Sequence, residues 1–213
     1  MKTLVMLIAF VLTSLYTDAQ KSIRIYNRGV EFAKQGNYDK AVSNFTRAIE
    51  EDHQLTEAWF NRALARSKMK DYRGAIEDYT VAISLQPAFS LAYNNRGADK
   101  NELKDHAGAI EDYSQAIVFD PRYARAYYNR GVARFALGKY EPALADFSKA
   151  TELEKKFSDA WFNKAVVKIQ LEDYKSALSD LDELLGFMPE HVKAQRKRDE
   201  LKAIMYKDIP NER

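Results

Sequence analysis

The hexapeptide GAIEDY occupies residues 74–79 and returns at residues 108–113, which is 34 residues further along the chain. The tripeptide NRG at residues 27–29 returns at residues 95–97 and 129–131, at multiples of the same distance. Two residue types keep this spacing through five cycles: Ala41, Ala75, Ala109, Ala143 and Ala177, and Asn27, Asn61, Asn95, Asn129 and Asn163. The shared period indicates that a 34-residue segment has been duplicated along the chain.

The period divides most of the chain into five repeats, which cover residues 22–55, 56–89, 90–123, 124–157 and 158–191. Each repeat predicts two helices. In the fourth repeat, apolar residues recur at helical spacing up to Gly138, a typical helix stop. Pro142 then marks the start of a second helix, where proline is tolerated. Helices of about 13 residues are marginal alone in water, so neighbouring repeats must stabilise one another.

The composition agrees with a folded helical protein and excludes several chemistries. Eight Gly and five Pro in 213 residues are few for an all-β chain. The absence of Cys excludes disulfides, thiolate metal sites, iron–sulfur clusters and cysteine nucleophiles. The 33 basic and 31 acidic residues are interleaved and give a net charge of +2, so the chain has no general attraction to nucleic acid.

Position by position, the 34-residue segment resembles the tetratricopeptide repeat, which has a large residue at position 4, a small one at position 8, and Ala at position 20. Positions 4 and 8 here hold Ile25, Trp59, Tyr93, Tyr127 and Trp161, and Gly29, Ala63, Gly97, Gly131 and Ala165. The resemblance implies an all-α fold, a right-handed α-solenoid of five helix–turn–helix repeats over residues 20–191. The likeness extends over residues 22–191.

The segment after the fifth repeat combines apolar residues with a basic cluster at Lys193, Arg196, Lys197 and Arg198. A terminal repeat needs a cap with a polar outer face. We therefore predict a capping helix over residues 192–206 and a tail over residues 207–213. A membrane-surface or nucleic-acid patch is the alternative, but acidic residues interrupt the cluster and no aromatic residue interleaves the charges.

The N-terminal residues 1–19 have the pattern of a secretory signal peptide. Lys2 precedes a short apolar run, and small residues stand at Thr17 and Ala19. A membrane anchor is the alternative, but the run is about 12 residues long and a span needs about 20. We expect cleavage after Ala19, a secreted or periplasmic protein, and no membrane span after cleavage.

The sequence contains no motif of a catalytic class. His53, His106 and His191 stand at unrelated repeat positions, and the HExxH, CxxC, GxSxG and glycine-rich phosphate motifs are missing. We predict a protein that is not an enzyme, with no catalytic residue, no metal site and no cofactor.

The recurring Asn is the main candidate for binding. In the tetratricopeptide family the sixth repeat position lies on the first helix and faces the concave groove. A carboxamide there offers donors and an acceptor, which an extended peptide main chain requires. The predicted peptide-binding residues are these amides and the aromatic residues beside them at position 5: Asn27, Asn61, Asn95, Asn129, Asn163, Tyr26, Phe60, Tyr128 and Phe162. Alternatively, duplication alone has kept the Asn residues, and the aromatic residues serve only in packing.

A second recurring pattern places a basic residue at position 7 and, in four of five repeats, an acidic residue at position 23. Examples are Arg62 with Asp78 and Arg130 with Asp146. The shared period favours an ion pair between the two helices of one repeat, with acidic ligands as the alternative use of the basic residues.

These observations predict an exported, non-catalytic adaptor that binds an extended polypeptide segment in its concave groove. The alternative is a structural scaffold component of a cell-envelope assembly, packing through its convex face or its basic C-terminal helix. The family's chaperone-tail clamp needs Lys at position 5 and Asn at position 9 of the first repeat, where this chain has Tyr26 and Val30. The expected partner is a protein or peptide and not nucleic acid, and the oligomeric state is left open.

Overall fold

The computed structural model describes residues 20–205, and its regular secondary structure in that range is helical. The helices are α1 (20–34), α2 (Tyr38–Glu51), α3 (Thr56–Lys68), α4 (Tyr72–Leu85), α5 (Ser90–Glu102), α6 (His106–Phe119), α7 (Ala124–Ala136), α8 (Tyr140–Leu153), α9 (Ser158–Gln170), α10 (Tyr174–Phe187) and α11 (Val192–Met205). The predicted all-α fold of helix–turn–helix repeats is confirmed. The predicted signal peptide and tail lie outside the described residues, as does residue 206 of the predicted capping helix.

The second helix of most repeats begins at a polar side-chain cap. Asn37, Asp71 and Asp173 each accept a hydrogen bond from the backbone N–H three residues later, at 3.1–3.3 Å, and Asp105 does the same at 2.9 Å. The start of α8 differs, because Lys139 stands at the cap and Pro142 stands three residues later. Proline has no N–H for a cap to bind, so a capping side chain would have no function there.

The turn between the two helices of each repeat contains a residue in the left-handed backbone region. Glycine fills this position in two repeats, with φ of 74° at Gly36 and 70° at Gly138. Lys70, Lys104 and Glu172 occupy the equivalent positions with φ of 65°, 67° and 61°. The turn geometry is therefore kept where a side chain is present, although this region costs an L-residue about 1–2 kcal/mol.

The chain forms two compact units, which we call unit one (described residues 20–104) and unit two (described residues 105–205). In unit one, fully buried alanines such as Ala41 and Ala75 allow the helices to approach closely, and the buried rings of Phe45 and Tyr79 fill the space between them. The small residue at repeat position 8 has a steric reason, because a Cβ at Gly29 would lie 2.7 Å from the Phe45 ring.

Unit two is built in the same way and ends in a larger aliphatic core. A Cβ at Gly131 would lie 2.8 Å from the buried Phe147 ring. Leu181 and Leu184 replace the aromatic and alanine found in earlier repeats, and both are fully buried. Helix α11 packs on this cluster through Ala194 and Leu201, which are also buried.

The predicted ion pairs between the helices of one repeat are confirmed in both units. In unit one, Arg62 donates two hydrogen bonds to the Asp78 carboxylate, at 2.7 and 2.9 Å, and Arg66 Nη1 donates a third at 2.9 Å. In unit two, Arg130 and Arg134 bind Asp146 in the same way. Two lysines take these places in the fifth repeat and contact Asp180.

The arginines of these pairs also bind the preceding repeat. Arg62 Nη1 donates to the Thr46 hydroxyl at 3.0 Å, and Arg130 Nη1 donates to the Ser114 hydroxyl at 3.0 Å. Both guanidinium groups bind partners inside the scaffold. We therefore interpret these two arginines as structural residues and not as binding sites for acidic ligands.

Candidate functional site

Two of the predicted asparagines bind predicted tyrosines that stand one repeat earlier. In unit one, Asn61 Nδ2 donates to the Tyr26 hydroxyl at 2.8 Å and to the backbone carbonyl of Glu57 at 2.9 Å. In unit two, Asn163 Nδ2 donates to the Tyr128 hydroxyl at 3.1 Å. These bonds connect α1 with α3 and α7 with α9, the first helices of neighbouring repeats. Part of each amide therefore serves the scaffold.

Each of these two Asn–Tyr pairs retains a free amide oxygen and a free hydroxyl proton. Within residues 20–205, no group donates to Oδ1 of Asn61 or Asn163, and no group accepts the hydroxyl proton of Tyr26 or Tyr128. All four side chains are half-buried and keep some exposed surface. A carboxamide oxygen beside a phenol O–H complements the N–H and C=O groups of an extended polypeptide.

The other three asparagines have different surroundings. Asn27 is exposed, and Asn129 is half-buried on α7. Asn95 stands one repeat after Phe60, which has no hydroxyl, and its Oδ1 accepts a hydrogen bond from Nδ2 of Asn94 instead. The five amides are therefore not equivalent, although the sequence period treats them alike.

The aromatic residues at position 5 belong partly to the core. The rings of Tyr26, Phe60 and Tyr128 pack on the position-24 ring of their own repeat with centroids 5.7–5.8 Å apart. Phe162 has no such ring in its repeat and packs on His191 at 5.6 Å. All four are half-buried, so each ring contributes to packing and keeps an accessible edge.

Unit two brings three predicted residues together around one recess, which we call the unit-two recess. It has a volume of about 380 Å³, and its lining includes Tyr128, Phe162, Asn163 and His191. Burial is the main cause that raises the pKa of Tyr128, so its hydroxyl stays protonated and able to donate at neutral pH.

Two smaller pockets extend the lining of the unit-two recess. One of about 120 Å³ is bordered by Val132, Phe135, Val166 and Asn163 and is mainly apolar. The other, of about 240 Å³, lies between Phe162 and the basic residues of α11, Lys193 among them. The side of α11 that carries these charges therefore borders the predicted site, a placement that the capping prediction did not include.

Unit one contains a polar cluster that the sequence interpretation missed. A recess of about 240 Å³, the unit-one recess, is lined by residues that include Ser67, Tyr79, Asn95 and Asp99. The Asp99 side chain accepts a hydrogen bond from the Ser67 hydroxyl. Burial raises the pKa of Asp99 to about 6, against the lowering effect of that hydrogen bond, and the charge of Glu102 adds a smaller increase.

The repeat alignment carries a signal for this cluster. Asp99 stands at repeat position 10, where three other repeats have Ala65, Ala133 and Val167, all buried. An acidic residue at a mainly apolar repeat position predicts either a polar group with hydrogen-bond partners inside the fold or a functional group. Asp99 itself is only 5% exposed.

The chain matches family models of the tetratricopeptide repeat over most of its length. They match residues 25–55, 56–89, 124–157 and 158–191, and a further TPR repeat model matches residues 100–138. The chain belongs to the tetratricopeptide repeat family. Members of this family are in general non-catalytic protein-interaction modules.

Solved structures of this family share the fold. MamA from Desulfovibrio magneticus RS-1 (residue 41 to its end) is 18% identical with a TM-score of 0.75, covering 80% of this chain and 97% of that one. YrrB, a TPR protein with an unusual peptide-binding site, is 18% identical with a TM-score of 0.73, covering 88% of this chain and 97% of that one. The first TPR of Spaghetti, bound to the HSP90 peptide SRMEEVD, is 28% identical with a TM-score of 0.55, covering 56% and 95%. Among curated proteins none matches this sequence.

The helices between residues 20 and 205 include none that is long and apolar enough to cross a membrane.

Proposed function

We propose that this protein is a non-catalytic adaptor that binds an extended segment of another polypeptide, with the Asn–Tyr pairs holding the main chain of that segment. The observation that carries the proposal is the free acceptor and free donor at Asn61–Tyr26 and at Asn163–Tyr128. Membership of a family of protein-interaction modules supports it. So do two solved structures of the family, since YrrB has a peptide-binding site and the Spaghetti domain holds a peptide.

The pairs suit a main chain better than a particular side chain. In an extended segment, the N–H and C=O of one residue point to the same side. In a sheet, these groups face a neighbouring strand about 5 Å away. The Asn oxygen accepts from such an N–H, and the Tyr hydroxyl donates to such a C=O. Because every residue other than proline offers the same two groups, recognition at the pairs should tolerate many sequences.

Side-chain preference would then come from the pockets beside the pairs. In unit two, the apolar pocket bordered by Val132, Phe135 and Val166 adjoins Asn163. Its volume of about 120 Å³ fits one aliphatic side chain of the bound segment. Phe162 is half-buried and lines the recess, so part of its side chain is accessible there. We therefore expect an apolar residue near the segment that contacts Asn163.

The proposal is tested with a peptide selected on the full chain from a random 12-residue display library. Isothermal titration would compare the wild type with the Tyr26→Phe/Tyr128→Phe and Asn61→Ala/Asn163→Ala variants. Each lost hydrogen bond costs about 1 kcal/mol, and each double variant removes one such group from the pair of either unit, so binding at a single pair should weaken about 5-fold. Asn44→Ala is the matched control, because this amide lies on a second helix and binds the carbonyl of Lys40. Circular dichroism would verify the fold of each variant.

A scan of the peptide itself separates main-chain from side-chain recognition. N-methylation of single peptide bonds should weaken binding strongly at the residues that contact the pairs, whereas most alanine substitutions should change it little. Equal affinities of wild type and double variants, or a peptide that tolerates every N-methyl group, would contradict the proposal.

We also propose that the protein is exported and acts as a secreted or periplasmic adaptor. Support comes from residues 1–19 alone, through Lys2, the short apolar run and the small residues at Thr17 and Ala19. N-terminal sequencing of the protein from its native host should begin at Gln20. An intact Met1 would contradict export by cleavage.

A further inference from the structure

We propose that the unit-one recess binds a cationic group of the captured segment, a Lys or Arg side chain or an N-terminal ammonium, on the carboxylate of Asp99. The inference rests on the proposed function and adds a chemical preference to it. It also makes one part of the binding face sequence-selective, whereas the Asn–Tyr pairs are not.

The geometry supplies an acceptor that lies inside the fold and opens into the unit-one recess. Asp99 is 5% exposed and belongs to the lining of the recess, together with Ser67, Tyr79 and Asn95. The Ser67 hydroxyl donates to Oδ2 of Asp99. Within residues 20–205, no group donates to its Oδ1. One carboxylate oxygen is therefore held in place, and the other is available to a ligand.

The charge on Asp99 has no counterpart within the described chain. The buried carboxylates Asp78 and Asp146 each form ion pairs with two arginines. Asp99 forms none with any residue from 20 to 205. Lys68 on α3 borders the recess but is exposed, and it is not among the causes that shift the Asp99 pKa.

A buried charge without a partner is costly, because the protein interior solvates it less well than water does. Burial is the largest cause of the raised pKa of Asp99. A cation from the ligand would replace the missing solvation and form a charge-assisted hydrogen bond with Oδ1. Binding energy at this place is therefore greatest for a cationic group.

The other polar neighbours favour an ammonium or guanidinium over other ligands. Tyr79 from α4 is neutral, since burial raises its pKa further above the ordinary value of 10.0. Glu102 on α5 adds negative charge, so an anion is disfavoured. Within residues 20–205, no group of three His, Asp or Glu side chains could hold a metal ion. One carboxylate beside hydroxyl and amide groups matches the several N–H donors of Lys or Arg.

The test uses small probes that do not depend on the identity of the partner. Nα-acetyl-lysine methylamide and its uncharged analogue Nα-acetyl-norleucine methylamide would be titrated into the full chain, with the amide resonances of Asn95 and Ala98 followed by NMR. The lysine probe should shift these resonances in a saturable way and bind at least ten-fold more tightly than the norleucine probe. The corresponding arginine probe should behave like the lysine probe.

Two matched variants on the same helix assign the effect to one carboxylate. Asp99→Asn should reduce the affinity for the lysine probe at least ten-fold, while Glu102→Gln should leave it within two-fold. In the wild type, affinity should fall as the pH falls through about 6, because the protonated carboxyl no longer carries the charge. The Tyr79 hydroxyl stays protonated throughout this range, because burial raises its pKa, and the Glu102→Gln variant shows whether the charge of Glu102 contributes.

The possible outcomes separate this inference from the proposed function. Equal binding of both probes, no binding of either, or an unchanged affinity in Asp99→Asn would overturn the inference. The selected peptide would then still bind through the Asn–Tyr pairs. If the proposed function alone is wrong, the double variants of those pairs leave peptide binding unchanged, and the lysine probe still depends on Asp99.

Discussion

Unit one contains two buried carboxylates in opposite circumstances. Asp78 on α4 is 2% exposed and Asp99 on α5 is 5% exposed. Asp78 accepts three hydrogen bonds from the guanidinium groups of Arg62 and Arg66. Asp99 accepts one from the neutral hydroxyl of Ser67. The two residues share chemistry and burial, and they differ in the charge around them.

The difference separates a scaffold group from a candidate binding group. The arrangement around Asp78 is repeated at Asp146 in unit two, as expected of a contact that holds the two helices of a repeat together. The arrangement around Asp99 depends on residues that the other repeats do not share. A buried carboxylate supplied with its own cations has completed its interactions, whereas one without them is free to interact with a ligand.

The largest effect that we predict is the destabilisation caused by Asp78→Asn. The substitution leaves Arg62 buried without its anion, and breaking a buried pair in this way costs about 3–5 kcal/mol. Urea denaturation should show this loss in the free energy of unfolding. Glu77→Gln is the control, since Glu77 is the exposed neighbour on the same helix and a surface change costs about 0.5 kcal/mol or less. Similar stabilities of the two variants would mean that the ion pair contributes nothing.

The same substitution at Asp99 should stabilise the protein, by less than Asp78→Asn destabilises it. The folded-state pKa of about 6 lies above the ordinary value of 3.8 for an aspartate, so the folded state binds more protons between these values. Stability from this group is therefore complete below pH 3.8 and is lost as the pH rises through about 6. At pH 8, Asp99→Asn should be about 1–2 kcal/mol more stable than the wild type.

Denaturation across a pH series tests this second prediction. The advantage of Asp99→Asn should shrink towards pH 4, where the wild-type carboxyl is neutral. A variant that is less stable than the wild type at pH 8 would show that the Asp99 charge is satisfied within the fold, which would remove the contrast with Asp78.

The smallest effects concern the surroundings of Asp99. Ser67→Ala should raise the pKa of Asp99, because it removes a hydrogen bond that favours the charged form. Glu102→Gln should lower it by less, since the charge of Glu102 is a minor cause beside burial. Titration of the aspartate carboxyl carbons by NMR would measure both. If Glu102→Gln returned the pKa to the ordinary value, repulsion and not burial would be its source.

The features that recur in the repeats could be predicted from the sequence, because they depend on the repeat period alone. Arg62 and Asp78 are 16 residues apart, on adjacent antiparallel helices of one repeat, and the same spacing returns at Arg130 and Asp146. A period long enough to contain both helices therefore specifies the contact. The all-α fold and the family followed from the same period, together with small residues such as Gly29.

The contacts that do not recur in every repeat could not be predicted in this way. Asp99, Ser67 and Tyr79 come from three different helices, and their proximity follows from how repeats 2 and 3 pack. Asn61 and Tyr26 were both selected from the sequence as ligand contacts, but the hydrogen bond between them was not foreseen. It joins residues 35 positions apart, and it depends on the distance between first helices, which the repeat pattern does not contain.

The bonds that join neighbouring repeats affect how a gene for a repeat protein can gain a further repeat. They connect residues 16 or 35 positions apart, as from Arg62 to Thr46 and from Asn61 to Tyr26. Within a unit, an in-frame duplication of one whole repeat keeps these spacings, and a copy of the first repeat would also offer the Tyr26 hydroxyl to the repeat that follows it. A binding face can therefore lengthen in a single genetic event without a poorly folded ancestor, whereas an insertion of another size within a helix would shift the partners out of register.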